Sequence, residues 1–123
     1  MRESGSALVA VRRVPLGARS GVVVAVSGWL DVASVAGLRE LLTALVAVSD
    51  PPDVIVDAGG LVFCDEGVVR ALVLAYRSGR LRGGRLVVCG AHGMLSDLLR
   101  RTHVDSIVEG YPTVAAAVAA LSE

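Results

Sequence analysis

Three short β-branched runs, VVVAVS (Val22 to Ser27), VIVD (Val54 to Asp57) and RLVVC (Arg85 to Cys89), are separated by stretches whose apolar residues recur every three or four positions. That alternation is the strongest constraint on the fold. A short, nearly continuous apolar run suits a strand buried on both faces, and such strands pair in parallel when helices cross over between them. Ahead of them, LVAVRRV (Leu8 to Val14) and the first run are parted by Pro15, Gly17 and Gly21, which predicts an opening hairpin. Val35, Leu38, Leu42 and Leu45 then keep helical spacing behind Asp31 and Ser34, both suited to capping, and Asp50-Pro51-Pro52 ends that helix. A second helix is expected through Val69, Leu72, Val73 and Tyr76, ending near Ser78-Gly79 or Gly83-Gly84. Leu95, Leu98 and Leu99 mark a third after Gly90 to Gly93, Ser106 to Glu109 reads as a weak strand, and Thr113 caps a last helix through Val114, Ala117, Val118 and Leu121. The expected order is β-β-α-β-α-β-α-β-α, an α/β domain with a mostly parallel central sheet and an antiparallel opening hairpin. With 123 residues and no linker or repeat, one domain over residues 1–123 is expected.

Composition removes several chemistries. All twelve basic residues are arginine, so Schiff-base and P-loop mechanisms, which need a lysine amine, are excluded. Formal net charge is zero, so no global field calls for nucleic acid. Two arginine-rich patches, Arg12-Arg13 and Arg77 through Arg85, read as solvated edges or helix ends. Cys64 and Cys89 lie in apolar runs without a C-x-x-C, which suggests reduced core thiols and a cytoplasmic setting. The N-terminus lacks a signal-peptide apolar region, and no apolar run reaches the ~18 residues that span a bilayer, so a soluble protein is expected.

Candidate catalytic sites are sparse. Asp57 closes the VIVD run as a receiver-type phosphoaspartate would, but that chemistry needs an acidic pair after the first strand and a lysine, and both are missing. His92 and His103 have no Cys or carboxylate at ligand spacing, so neither a metal nor another cofactor is expected. His92, in GAHG, reads as an exposed loop residue, and His103 as a favourable charge at a helix C-terminus. No G-x-S-x-G is present, and an enzyme is not expected. Asp65 and Glu66 remain, wedged between an apolar run and the second helix. Their plain reading is a cap and a first-turn carboxylate, each worth about 0.3–1 kcal/mol at the positive end of the helix dipole.

Three segments carry a resemblance. SGWLDVASVAGLRELL (Ser27 to Leu42) resembles the "GxLDxxxAxxLRxxL" segment of STAS domains, the fold of sulphate transporters and anti-sigma factor antagonists. VIVDAGGLVFCD (Val54 to Asp65) resembles their "vvvDlsgvxFxD" segment, and Arg82 to Leu121 resembles their ending, a strand, a leucine-bearing helix and a "tveeAl" helix. The resemblance implies a STAS-type fold over nearly the whole chain. In the family the motif continues as Asp, two Ser or Thr, Gly and an apolar residue, and the first hydroxyl is phosphorylated. Here Asp65 matches the aspartate, Glu66 falls on the phosphoacceptor, Gly67 on the second hydroxyl residue and Val68 on the glycine.

What the resemblance implies about function is partner binding. In regulatory members the unphosphorylated domain binds an anti-sigma factor that is itself a GHKL-type serine kinase, and phosphorylation breaks the complex by adding about −1.5 to −2 charge. A carboxylate carries one charge and is not removed, so no phosphoacceptor is expected and Glu66 is not the familiar switch. Three readings stay open: a fixed mimic of the phosphorylated state, a carboxylate suited to a partner arginine with constitutive binding, or a good first-turn residue in a member using another surface. Constitutive binding is the favoured reading. The expected contact surface is Asp65, Glu66, Gly67, Val69 and Arg70, flanked by the Asp31 loop and the Gly90 to Gly93 loop with His92. The alternative is a non-switching structural subunit of a regulatory assembly or of a lipid or anion transport system. Pairing of two copies is left open.

Overall fold

A computed structural model of the chain describes residues 6–123. Strands β1 (Ala7–Leu16) and β2 (Arg19–Leu30) form an antiparallel hairpin in register from Ala7 opposite Gly28 to Leu16 opposite Arg19. Gly17 makes the turn at a φ of 63°, a left-handed conformation that suits a residue without Cβ. There follow α1 (Val32–Val48), β3 (Val54–Cys64), α2 (Gly67–Leu81), β4 (Leu86–Cys89), α3 (Gly93–Arg101), a 3₁₀ turn (Val104–Ser106), β5 (Gly110–Tyr111) and α4 (Val114–Leu121). The five strands lie in the order β1-β2-β3-β4-β5, and every pair after the hairpin is parallel. The expected α/β architecture is the one observed.

The apolar runs carry no polar alternation because the central strands are covered twice. Val24, Val54, Val56 and Val88 face α1, α2 and α3, packing with Leu38, Leu42, Leu72 and Leu98. Val23, Ile55 and Val87 point the other way, toward Ala117 and Leu121 of α4, where Val14 and Leu16 of β1 join them. Successive strand residues thus feed opposite cores, as the period of two requires.

Four expectations need correction. The third strand does not stop at Asp57 but continues through Ala58-Gly59-Gly60 to Cys64. Two register shifts against β2 absorb the glycines: Ala25 and Ser27 pair with Asp57 and Gly60, and Gly28 and Trp29 with Leu61 and Phe63. Glycine is needed there, since a Cβ on Gly60 would lie 2.7 Å from the Ser27 Cβ. Residues 106–109 are not a strand. His103, at a φ of 62°, turns the chain into the 3₁₀ segment, Val104 and Val108 are buried, and the last strand is Gly110–Tyr111. The buried stripe of α2 is Val68, Ala71, Leu72, Ala75 and Gly79, with Val69, Val73 and Tyr76 half-buried beside it. In α1 the last buried position is Val46 rather than Leu45. Of the two ends considered for α2, the later one holds, with Gly83 at a φ of 80° just beyond it.

Candidate functional site

β2 and β3 outrun their neighbour. β4 pairs with β3 only as far as Asp57 opposite Cys89, whereas β2 and β3 stay paired to Leu30 opposite Cys64. At the tip of this projection Trp29 and Phe63 stack with ring centroids 5.0 Å apart. The two strands then deliver two helices side by side. Asp65 N–H donates to the Leu30 carbonyl at 2.8 Å, α1 leaves from Asp31, and α2 leaves from Glu66.

Each carboxylate at this junction has a distinct place. Asp31 Oδ1 accepts from Ser34 N–H at 2.9 Å and from the Ser34 hydroxyl at 2.8 Å, the geometry of an N-cap. Those bonds favour the ionised form and hold the Asp31 carboxyl below its usual range, the Ser34 amide contributing most. Asp65 Oδ2 accepts from Gly67 N–H at 2.8 Å, and the Asp65 carbonyl accepts from Val68 N–H at 3.0 Å, so Asp65 orders the entry into α2. Gly67 is packed against α1, where an added Cβ would lie 2.9 Å from Asp65 Oδ2 and 3.5 Å from a Val35 methyl. Beneath them burial, then the Asp65 charge, push the Cys64 thiol pKa up. Glu66 differs from both aspartates. It is exposed, helical in backbone (φ −65°, ψ −14°), and its side chain makes no capping bond and no ion pair among the described residues.

A groove of about 930 Å³ runs from this junction along α2. Asp65, Glu66, Gly67, Val69 and Arg70 line it, so the structure brings five of the residues singled out in the sequence onto one surface. Asp31 stands at its edge, adjacent to the lining residue Val32, which is 71 % exposed. His92 is elsewhere. It precedes α3, its Nε2 donates to the Gly59 carbonyl at 3.1 Å, and it lines a separate small cleft with Val62, Phe63 and Met94. The sequence reading missed the far half of the groove: Arg39 of α1, Leu74 and Arg77 of α2, and Arg101 of α3. The signal was available for α2 alone, since positions 66, 70, 73, 74 and 77 share one helical face. Which helices flank that face is decided by tertiary packing. Among the described residues no three His, Cys, Asp or Glu side chains converge as metal ligands, and no helix is long and apolar enough to cross a membrane.

This hairpin-led sheet, with two helix starts side by side beyond its carboxyl ends, defines a class. The STAS domain family model matches residues 12–117, and the chain belongs to that family. No curated protein matches it. Among solved structures, an anti-sigma factor antagonist from Mycobacterium paratuberculosis is 24 % identical with a TM-score of 0.81, covering 96 % of each chain. The anti-sigma factor antagonist SpoIIAA in its unphosphorylated form is 18 % identical, with a TM-score of 0.73 over 90 % of this chain and 93 % of that one. The Bacillus cell fate determinant SpoIIAA in its phosphorylated form is 16 % identical, with a TM-score of 0.70 over 90 % and 96 %. A SulP transporter STAS domain from Vibrio cholerae is 18 % identical, with a TM-score of 0.60 over 76 % and 78 %. At these identities the likeness carries the fold alone.

Proposed function

We propose that this chain is a cytoplasmic regulatory protein of the anti-sigma factor antagonist type, that it acts by binding a partner through the start of α2, and that it lacks the serine phosphorylation switch. It has no catalytic role of its own. The partner is an anti-sigma factor of the GHKL serine-kinase type, and nucleic acid is not a ligand. The observation that carries the reading is Glu66. By the resemblance to the family motif it falls on the phosphoacceptor position; it is exposed at the start of α2, and its carboxylate is bonded to nothing among the described residues. A group held that way is free to meet a cation across an interface. Because the carboxylate is permanent, binding is constitutive, and control lies in the amount of protein. The likeness of the fold to a transporter STAS domain supports one further reading, a non-switching subunit of a regulatory or transport assembly.

The deciding experiment uses the wild-type chain and the Glu66→Ser variant as baits in lysate of the source organism, with retained proteins identified by mass spectrometry. Retention of a GHKL-type anti-sigma kinase by wild type is the expected result. Retention by Glu66→Ser alone would make Glu66 a built-in off state. Retention of a transport permease or of other STAS subunits in its place would move the subunit reading ahead.

A further inference from the structure

Arginine supplies every positive side chain of this protein except its two histidines, and the fates of the arginines divide sharply. Arg19 pairs with Asp53, Arg85 with Glu109 and Arg100 with Asp97. Arg80 donates to the Tyr76 hydroxyl and Arg82 to the Ser49 carbonyl. The sequence-level patch from Arg77 to Arg85 is therefore mostly spent on structure. Among the described residues Arg12, Arg13, Arg39, Arg70, Arg77 and Arg101 make no ion pair or side-chain hydrogen bond. Four of these six, from three different helices, line the groove along α2.

One unpaired surface arginine is ordinary, but four around an apolar strip have a chemical preference. Val32, Val69, Val73 and Leu74 line the same groove, with Val32 and Leu74 exposed. Asp65 and Glu66 stand at one end only, and the rest of the groove is positive in a molecule of zero formal charge. From Glu66 to Arg77 the groove follows α2 for about 16 Å, three helical turns. We propose that this groove docks an acidic amphipathic helix of a partner protein, its apolar stripe on Val69, Val73 and Leu74 and its carboxylates on Arg39, Arg70, Arg77 and Arg101.

The alternatives fit less well. A single nucleic-acid strand would gain the arginines, but no aromatic ring lines the groove to stack a base. Among the described residues a second copy of this chain offers no complementary element. α4 has no acidic residue, the only carboxylate in α1 is Glu40, and the one in α3, Asp97, is already paired with Arg100. A partner helix with carboxylates at i, i+3 and i+4 beside an apolar stripe matches both the charge and the period. Guanidinium forks hold carboxylates bidentately, which fixes register as well as affinity.

This proposal rests on reading the chain as a partner-binding module, but not on which partner it binds. The test is a random 16-residue peptide library displayed on phage and selected on the full chain. Peptides from the enriched set are then synthesised and titrated by fluorescence anisotropy. Enriched sequences should carry Asp or Glu at helical spacing beside an apolar stripe. Their affinity should fall at least tenfold against an Arg77→Gln/Arg101→Gln variant, whose exposed changes leave the urea midpoint in place, and should weaken as salt rises. Enrichment without acidic bias, no enrichment, or binding within twofold of wild type in that variant overturns the proposal. So does displacement of the peptide by a single-stranded oligonucleotide held by the same arginines. If a GHKL kinase is captured yet no acidic peptide is selected, the groove proposal falls while the anti-sigma reading stands. Acidic peptides without such a kinase give the reverse.

Discussion

Asp31, Asp65 and Glu66 are three carboxylates at one end of one sheet, and hydrogen bonding alone separates their roles. Asp31 and Asp65 each spend an oxygen on a backbone N–H of the helix that follows, while Glu66 spends none. The two aspartates therefore hold the platform and the glutamate is what the platform presents. Asp31 makes this testable by pH. Its carboxyl is held below the ordinary value of 3.8 by Ser34, so the folded state binds its proton less tightly than the unfolded state does. The stability this contributes is present above the unfolded value and is lost as pH falls through the lowered one. Asparagine also caps but does not titrate. Asp31→Asn should leave the urea midpoint at pH 7 close to wild type and make its decline between pH 5 and about pH 2 shallower. An unchanged slope would mean that the cap is not formed in solution.

The far end of the sheet shows how elements are tied together away from the groove. Asp53 is buried at the start of β3, where its Oδ1 accepts from Arg85 N–H at 3.0 Å, ahead of β4. Its Oδ2 has no well-formed hydrogen bond and is held by charge, with Arg19 Nη1 of β2 at 3.0 Å. The arginine is 41 % exposed and the carboxylate is not exposed at all, so the two partners are not equivalent. Arg19→Gln strands a buried anion and should cost about 2–3 kcal/mol. Asp53→Asn removes that anion, keeps an acceptor for Arg85 N–H and releases Arg19 to water, so about 1 kcal/mol is expected. Urea unfolding at pH 7 measures both, and equal costs would show that water, not Arg19, neutralises Asp53. Among the elements themselves, legibility followed how local the cause was. Asp31 and Thr113 cap the helices that their sequence positions announce. The second half of β3 was hidden because Gly59-Gly60 looks like a loop, and only pairing with β2 turns it into a strand. The same non-local causes hid the groove, since Arg39 and Arg101 meet α2 only through packing.

For the molecule as a whole, one sheet separates two cores. Leu72 lies under the groove, against the face covered by α1, α2 and α3, and Leu121 lies under α4, and both are fully buried. Truncating either to alanine should cost about 2–5 kcal/mol. Because they belong to separate core clusters with no buried residue in common, the two losses should add to within about 0.5 kcal/mol. Their sum takes most of the roughly 5–15 kcal/mol that holds a domain of this kind together. If residues 6–123 form one cooperative unit, the wild type and both single variants each unfold in one transition by circular dichroism and tryptophan fluorescence together. Trp29 at the sheet tip reports tertiary structure, and the helices report secondary structure. The groove adds a functional contrast to this thermodynamic symmetry. Leu121→Ala weakens the face remote from α2, so the fraction still folded should bind an acidic peptide as tightly as wild type. Leu72→Ala removes the support from α2 itself, and the same fraction should bind it more weakly. Equal loss of binding in the two variants would mean that the groove reads the stability of the whole domain, and equal retention that α2 keeps its face without the leucine beneath it.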